Sequence, residues 1–175
     1  MTAVPDGEVE PLRPRRSAVW AAVFRVSYRL LRLLDPLVRS AVANDVPGLS
    51  GVVEIRTVGR RTGRLRRNMT TLLSSDGRWY VGHPNGPSAW IRNAEASGWL
   101  EIDPPGRDGP RFRVHRLEPG PERDAVIRVT AHQQPLFSNL LYRAAQRRVA
   151  AVGVYHRLEP IAAGADAAAG IEGGR

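Results

Sequence analysis

The most densely charged stretch of the chain, residues 59–67, reads GRRTGRLRR and carries five arginines in nine residues. Arginine presents a planar fork of donors that matches the oxygens of phosphate and carboxylate groups. The glycines at 59 and 63 let the backbone turn tightly and approach an anion closely, and Thr62 and Thr70 add hydroxyl donors. From the residues alone, a small phosphorylated ligand, a nucleic acid and a merely solvated loop tip all stay open.

Few other residues have the spacing of a catalytic or metal-binding motif. The sequence has no Gly-x-Ser-x-Gly, no phosphate-binding P-loop and no cysteine, and its four histidines have no metal-ligand spacing. Carboxylates are sparse and form no evident acid–base pair. No metal site is therefore expected, and if the protein is an enzyme, a bound cofactor should carry the chemistry.

The composition indicates one globular domain. The chain has 175 residues and a formal net charge of +9, and all of its basic residues are arginine. The lack of cysteine excludes disulfides and thiolate chemistry. Residues 1–16 do not read as a signal peptide, and no apolar run reaches membrane-spanning length free of arginine. The expected location is the cytoplasm, with the inner face of the cell membrane as a further option.

The first ordered element should be a helix. Residues 1–16 and 163–175 are predicted to be disordered tails, which leaves a single domain at 17–162. Residues 17–43 predict a helix that has Arg25, Arg29 and Arg32 on one stripe beside a wide apolar face, and Pro36 should kink or end it. The stripe fits a helix resting on an anionic membrane, and it fits equally a helix packed on the domain with its arginines in water.

The remaining elements predict an antiparallel sheet. Strands are expected at 51–58, 68–75, 78–82, 98–103, 111–117 and 152–158, and helices at 89–96, 121–131 and 135–149. Ser88 is the expected N-cap of the first of these helices, and Asp76-Gly77 is a hairpin turn signal. Six short strands joined by hairpins indicate an α+β fold, mainly an antiparallel split β-barrel with an N-terminal helix and peripheral helices. GRRTGRLRR is then the loop of the first hairpin.

The order of these motifs resembles a known family. GRRTGRLRR, NMTTLL, a DG turn and GHPNGPSAWIRNAEASGWLEI are similar to the deazaflavin (F420)-dependent nitroreductase family, within the split β-barrel flavin/deazaflavin oxidoreductase superfamily. The resemblance runs from about Val53 to Pro160. It implies coenzyme F420 as the cofactor, FMN less so, and hydride transfer from the reduced deazaflavin to a quinone, an enone or a nitro-compound. The alternative is a non-catalytic lipid- or cofactor-binding protein of the same fold.

The resemblance also implies which residues bind the cofactor. These are Arg60, Arg61, Thr62, Gly63, Arg66, Arg67, Asn68, Met69, His83, Pro84, Asn85, Gly86, Trp90 and Asn93. Residues 60–63 match the loop that closes on the anionic tail, residues 66–69 the strand beside the deazaflavin, and residues 83–86 the loop that holds the phosphate. Tyr142 is the implied catalytic residue, because it falls near a family tyrosine that faces the substrate.

The expected partner is a small hydrophobic or electron-poor substrate. Nucleic acid is not expected, because the arginine loop lacks the neighbouring aromatic side chains on which single-stranded bases stack. Peripheral membrane contact through residues 17–43 and assembly into a homodimer are left open.

Overall fold

The computed structural model describes residues 11–44, 49, 51–103, 109–134 and 138–161. The predicted tails therefore lie outside the described residues, apart from residues 11–16, which run against the domain. There the Leu12 N–H donates to Asp124 Oδ2 at 2.9 Å and the Arg15 N–H donates to the Arg147 carbonyl at 2.9 Å. None of the described helices is long and apolar enough to cross a membrane.

Within the described residues, seven strands form one antiparallel sheet. They are β1 Val52–Val58, β2 Leu65–Thr71, β3 Leu73–Ser75, β4 Arg78–His83, β5 Trp99–Asp103, β6 Arg111–Arg116 and β7 Val154–Pro160. Their order across the sheet is β2-β1-β5-β6-β7-β4-β3. β2 and β3 stand at opposite edges, yet only Leu72 separates them in the chain. The sheet therefore curls until one bent strand supplies both edges, which confirms the predicted split barrel.

Five helices are described around this sheet: α1 Ala18–Ala43, α2 Ala89–Ser97, α3 Pro121–Gln133, α4 Ser138–Ala144 and α5 Gln146–Val152. The Ser17 hydroxyl accepts from the Trp20 N–H at the start of α1, and the Ser88 hydroxyl accepts from the Ile91 N–H at the start of α2. These N-caps satisfy backbone donors that the first helical turn leaves unpaired. The α+β class, with an N-terminal helix and peripheral helices, is confirmed.

The core consists of two clusters on opposite faces of the sheet. Adjacent strand residues point to opposite faces, so Tyr80 packs in one cluster and Val81 in the other. The Tyr80 cluster includes Phe24 of α1 and residues of α3, α4 and α5. The Val81 cluster includes Trp90 of α2. Each face is thus covered by helices, and α2 is the helix on the arginine-loop side, as its contacts below show.

Three predicted elements, at 68–75, 135–149 and 152–158, have other bounds in the structure. The predicted strand at 68–75 is also divided at Leu72 into β2 and β3, so the described residues form seven strands rather than the six predicted. β2 begins at Leu65 rather than Asn68, because Val58 pairs with Leu65 and the ladder takes in both following arginines. The loop is therefore residues 59–64. The described part of the predicted helix at 135–149 is two helices separated at Ala145, where no helix breaker occurs. Residues 135–137 lie outside the described residues. Tyr142, Ala145 and Val149 all enter the same cluster, so packing sets this break.

The helix α1 agrees with the predicted bounds, whereas the last strand does not. α1 continues past Pro36 to Ala43, since the residues on both sides are good or tolerable helix formers and their remaining backbone bonds sustain the helix. The last strand is shifted to Val154–Pro160, because Val152 still belongs to α5.

Candidate functional site

The candidate site lies where the barrel is split between β2 and β4. β3 pairs with β4 from Ser75↔Arg78 to Leu73↔Tyr80. On the other side of Leu72 in the chain, β2 pairs with β1 instead. β2 and β4 remain neighbours, but within the described residues no ladder joins them. Their facing edges therefore keep backbone donors and acceptors outside the sheet's hydrogen bonding.

Two of the segments implied to bind the cofactor flank this split. Residues 66–69 belong to β2 on one side, and His83 ends β4 on the other, with residues 84–86 directly after it. Asn68 and Met69 are half-buried there. The fold thus brings together segments that are about fifteen residues apart in the chain.

The arginine loop at 59–64 is held in a tight turn. The Gly59 N–H donates to the Arg64 carbonyl at 2.9 Å, and the Gly63 N–H donates to the Gly59 carbonyl at 2.7 Å. Gly63 has φ +65°, in the left-handed region that favours glycine. A methyl group at Gly59 would lie only 2.9 Å from Thr62 Oγ1. Both glycines are therefore required by the turn itself.

One arginine fixes the loop to α2, and others are free. The Arg60 N–H and Nη1 both donate to Asn93 Oδ1 at 3.3 Å, and Asn93 is buried. Arg67 Nε lies 3.4 Å from Glu54 Oε1. The side chains of Arg61, Arg64 and Arg66 are exposed and have no hydrogen bond or ion pair within the described chain. Three guanidinium groups are thus available to an anion.

The 83–86 loop leads to a buried aromatic cluster. The His83 ring stacks on Tyr28 of α1 at a centroid distance of 4.5 Å. The Tyr28 and Tyr142 hydroxyls are 3.2 Å apart. The Asn85 N–H donates to His83 Nδ1 at 3.3 Å, which places the ring proton of neutral His83 on Nε2.

Burial keeps all three groups of this cluster uncharged at neutral pH. Desolvation lowers the pKa of His83 to about 4 and raises the pKa of Tyr28 to about 12. Burial raises the pKa of Tyr142 well above its ordinary value. Tyr142 is 8% exposed and bonded to Tyr28. The cluster can therefore donate and accept hydrogen bonds, but it does not supply a strong acid or base at neutral pH.

Two residues beside the site carried no functional signal in the sequence. Tyr28 follows Phe24 by one helical turn and reads simply as core, and Arg148 reads as one more surface arginine. In the structure Arg148 Nη2 donates to Asn85 Oδ1 at 2.6 Å. The contacts of Tyr28 with His83 and of Arg148 with Asn85 join residues more than fifty positions apart, so no local pattern in the sequence indicates them.

The chain is similar to several solved structures. The chain is similar to an F420-H2 dependent reductase at 17% identity and TM-score 0.48, over 63% of this chain and 95% of that one. It is similar to the heme storage protein HutZ from Vibrio cholerae at 14% identity and TM-score 0.48, over 65% and 83%. It is also similar to the hypothetical protein Rv2991 from Mycobacterium tuberculosis at 15% identity and TM-score 0.45, over 69% and 79%.

No protein-family model matches the chain, and the curated proteins gave no match. The fold is that of a split β-barrel, as predicted, and an F420-H2 dependent reductase is among the solved structures to which the chain is similar. At these identities, the solved structures assign no role to any residue of this chain. Its chemistry rests on its own residues.

Proposed function

We propose that the chain binds coenzyme F420 at the split and uses the reduced coenzyme to reduce an electron-poor acceptor, such as a quinone, an enone or a nitro-compound. The observation that carries this proposal is the loop at 59–64. Arg60 holds the loop on α2, while Arg61 and Arg64 have no partner within the described residues. A charged loop that is anchored at one arginine and free at its others is suited to bind an anion rather than only to face water.

The residues present fit the chemical groups of F420. The coenzyme is a phosphodiester with a carboxylate-rich glutamyl tail, and guanidinium groups bind such oxygens in pairs. No acidic residue occurs in the loop to compete for its arginines. A methyl group added at Gly63 would meet no atom within 4 Å, so there is open space beside the loop. The half-buried Asn68 and Met69 offer a partly apolar wall for the ring system.

When bound, reduced F420 supplies a hydride donor. The protein's own residues have the simpler tasks of binding and orientation. Arg61, Arg64 and Arg66 hold the anionic tail, and the 83–86 loop stays neutral because burial keeps His83 unprotonated. Tyr142 contributes a protonated hydroxyl at most. Rate enhancement then depends on placing the acceptor against the ring in a site that excludes water.

A titration with F420, FMN and a fatty acid, followed by coenzyme fluorescence, tests this proposal. Arg61→Ala and Arg66→Ala should each weaken F420 binding by about 1–3 kcal/mol, the scale for losing a charged hydrogen bond. Arg113→Ala is the matched control, since Arg113 is equally exposed but lies on β6, three strands from β2. F420 affinity that is unchanged in both loop variants rules out the loop as the coenzyme site.

Binding without turnover is the second candidate, and one observation favours it. Tyr142 is buried and bonded to Tyr28, so it offers no open proton donor to a substrate. Incubation of the F420H2-loaded protein with a quinone and a nitro-compound separates the two functions. Oxidation of F420H2 supports the reductase, whereas tight F420 or fatty-acid binding with no oxidation supports a carrier.

We also infer that α1 lies on an anionic membrane surface, at the inner face of the membrane. One stripe of this helix is apolar, and each of its described side chains is more than half exposed: Val19, Val26, Leu30, Leu33 and Leu37. Their spacings of seven, four, three and four residues place them on one side of the helix. The buried Phe24 lies on the other side, so α1 packs on the domain and still presents an unpartnered apolar stripe.

Charge favours lipid over a second copy as the occupant of this stripe. The α1 sequence has four arginines and one aspartate, and Arg25 and Arg29 are exposed. Arg32, the third member of the predicted basic stripe, has a side chain outside the described ones. A homodimer formed through α1 would bring like charges together, whereas an anionic surface attracts each arginine by about 1 kcal/mol.

A further inference from the structure

A second concentration of positive charge lies away from the arginine loop. A cavity of about 500 Å³ opens between the residues that precede α1 and the helices α4 and α5. None of its seven lining residues is acidic, and four of them are arginines: Arg15, Arg16, Arg147 and Arg148. Trp20 forms part of the wall. Four guanidinium groups around one space repel each other unless an anion lies between them.

Arg148 is the buried member of this set. It is 9% exposed, its Nη1 donates to the Ser17 carbonyl at 3.1 Å, and its Nη2 donates to Asn85. Its Nε is buried and has no hydrogen-bond partner within the described residues. Both of its acceptors are neutral, and no carboxylate among the described residues pairs with its charge. A buried charge is costly without one.

The charge of a second buried arginine is compensated by backbone carbonyls. Arg123 is also 9% exposed and donates to the carbonyls of Ala150 and Gly153. These carbonyls stand at the carboxyl end of α5, where the helix dipole is negative. Arg148 lies in the first turn of the same helix, where the dipole is positive. The helix therefore stabilises Arg123 and adds to the cost of Arg148.

The remaining three arginines are also unpaired. Arg15, Arg16 and Arg147 are exposed, and their side chains have no partner in the part of the chain that the structure describes. The backbone bond from the Arg15 N–H to the Arg147 carbonyl fixes the two segments against each other. The charges are thus held together by the fold and do not meet by chance in a mobile surface.

We propose that this cavity binds the phosphate or diphosphate group of a small organic anion, whose organic part contacts Trp20. The site is separate from the arginine loop of the proposed coenzyme site, although Arg148 contacts the 83–86 loop through Asn85. Phosphate of this kind comes either from a free metabolite or from a lipid headgroup. Pyrophosphate and vesicles of phosphatidylglycerol are the probes for the two sources.

Calorimetric titration of the full chain with pyrophosphate tests the site. Arg16→Gln and Arg147→Gln should each weaken binding about tenfold or more, which is the loss of one charge-assisted hydrogen bond. Both side chains are exposed, so folding is preserved, and Arg148 is left intact because it is buried. Arg113→Gln is the control. Trp20→Phe should leave the pyrophosphate affinity unchanged, because pyrophosphate has no organic part to contact this ring.

The outcome is separable from that of the proposed coenzyme site. Arg16→Gln and Arg147→Gln should leave F420 affinity within about twofold of wild type, whether or not the loop proposal holds. Binding of phosphatidylglycerol vesicles with loss in the same two variants, and no response to pyrophosphate, assigns the site to a headgroup. The proposal is overturned if pyrophosphate does not bind and Arg16→Gln and Arg147→Gln leave vesicle binding unchanged, if Arg113→Gln weakens binding equally, or if F420 displaces pyrophosphate competitively.

Discussion

Acid should destabilise the protein through His83 in particular. The ring is held neutral by burial against Tyr28, and its pKa is about 4, whereas an unfolded histidine titrates near its ordinary 6.5. Below pH 6.5 the unfolded chain therefore binds a proton at His83, whereas the folded chain does not. Stability is fully present above pH 6.5 and is lost as the pH falls toward 4.

The size of the loss follows from the two pKa values. The slope approaches about 1.4 kcal/mol per pH unit between them. Integrated from pH 7 to pH 5, His83 alone should cost about 2 kcal/mol of unfolding free energy, and about 3 kcal/mol by pH 4. Tyr28, the group stacked on the ring, stays protonated over this whole range because its pKa is about 12. It adds nothing to the pH dependence.

Urea unfolding of wild type and His83→Phe at pH 7, 6 and 5, followed by tryptophan fluorescence, measures this effect. Phenylalanine keeps a ring against Tyr28 and removes the titration. The variant should have a lower free energy of unfolding than wild type at pH 7. Between pH 7 and pH 5, its free energy of unfolding should fall by about 2 kcal/mol less than that of wild type. His132→Gln, an exposed site, should follow wild type. Parallel curves for wild type and His83→Phe would refute the reasoning.

Three further outcomes are expected. Gly82→Ala should destabilise the fold by about 1–3 kcal/mol or more by thermal unfolding, because the new methyl would lie 2.2 Å from the Tyr155 ring, while Gly120→Ala, which meets no atom within 4 Å, should change little. Leu30→Ser with Leu33→Ser should abolish sedimentation with anionic vesicles and leave F420 binding intact; a wild type that stays in the supernatant contradicts the membrane proposal. Any nucleic-acid binding should collapse between low and moderate salt, and sequence-selective duplex binding at physiological salt would contradict the proposed function.

The local parts of the fold were predictable from the sequence. Asp76 and Gly77 both have positive φ, at 49° and 71°, as the Asp-Gly hairpin signal requires. Ser88 caps α2 for an equally local reason. The α+β split barrel followed because hairpins and antiparallel pairing are decided over a few residues.

The long-range parts were not predictable. β4 pairs with β7 and not with β2, and that choice depends on packing between residues more than seventy positions apart. The break at Ala145 has the same origin. The roles that the resemblance gives to the individual cofactor residues stay predictions. Nothing in the sequence indicates that Asn85 contacts Arg148, since neither residue differs in its local sequence from the other asparagines and arginines.

The open edge of β2 has a consequence for how copies of this protein behave in concentrated solution. An unpaired strand edge is a template for another strand, and many sheet proteins block it with charge. β2 carries Arg66 and Arg67, and a second copy aligned along this edge would meet like charges. Arg66, which is proposed to hold an anion, therefore also helps to keep neighbouring molecules apart. A long polyanion such as heparin, which neutralises the arginines of several copies at once without filling the split, should drive the protein into aggregates.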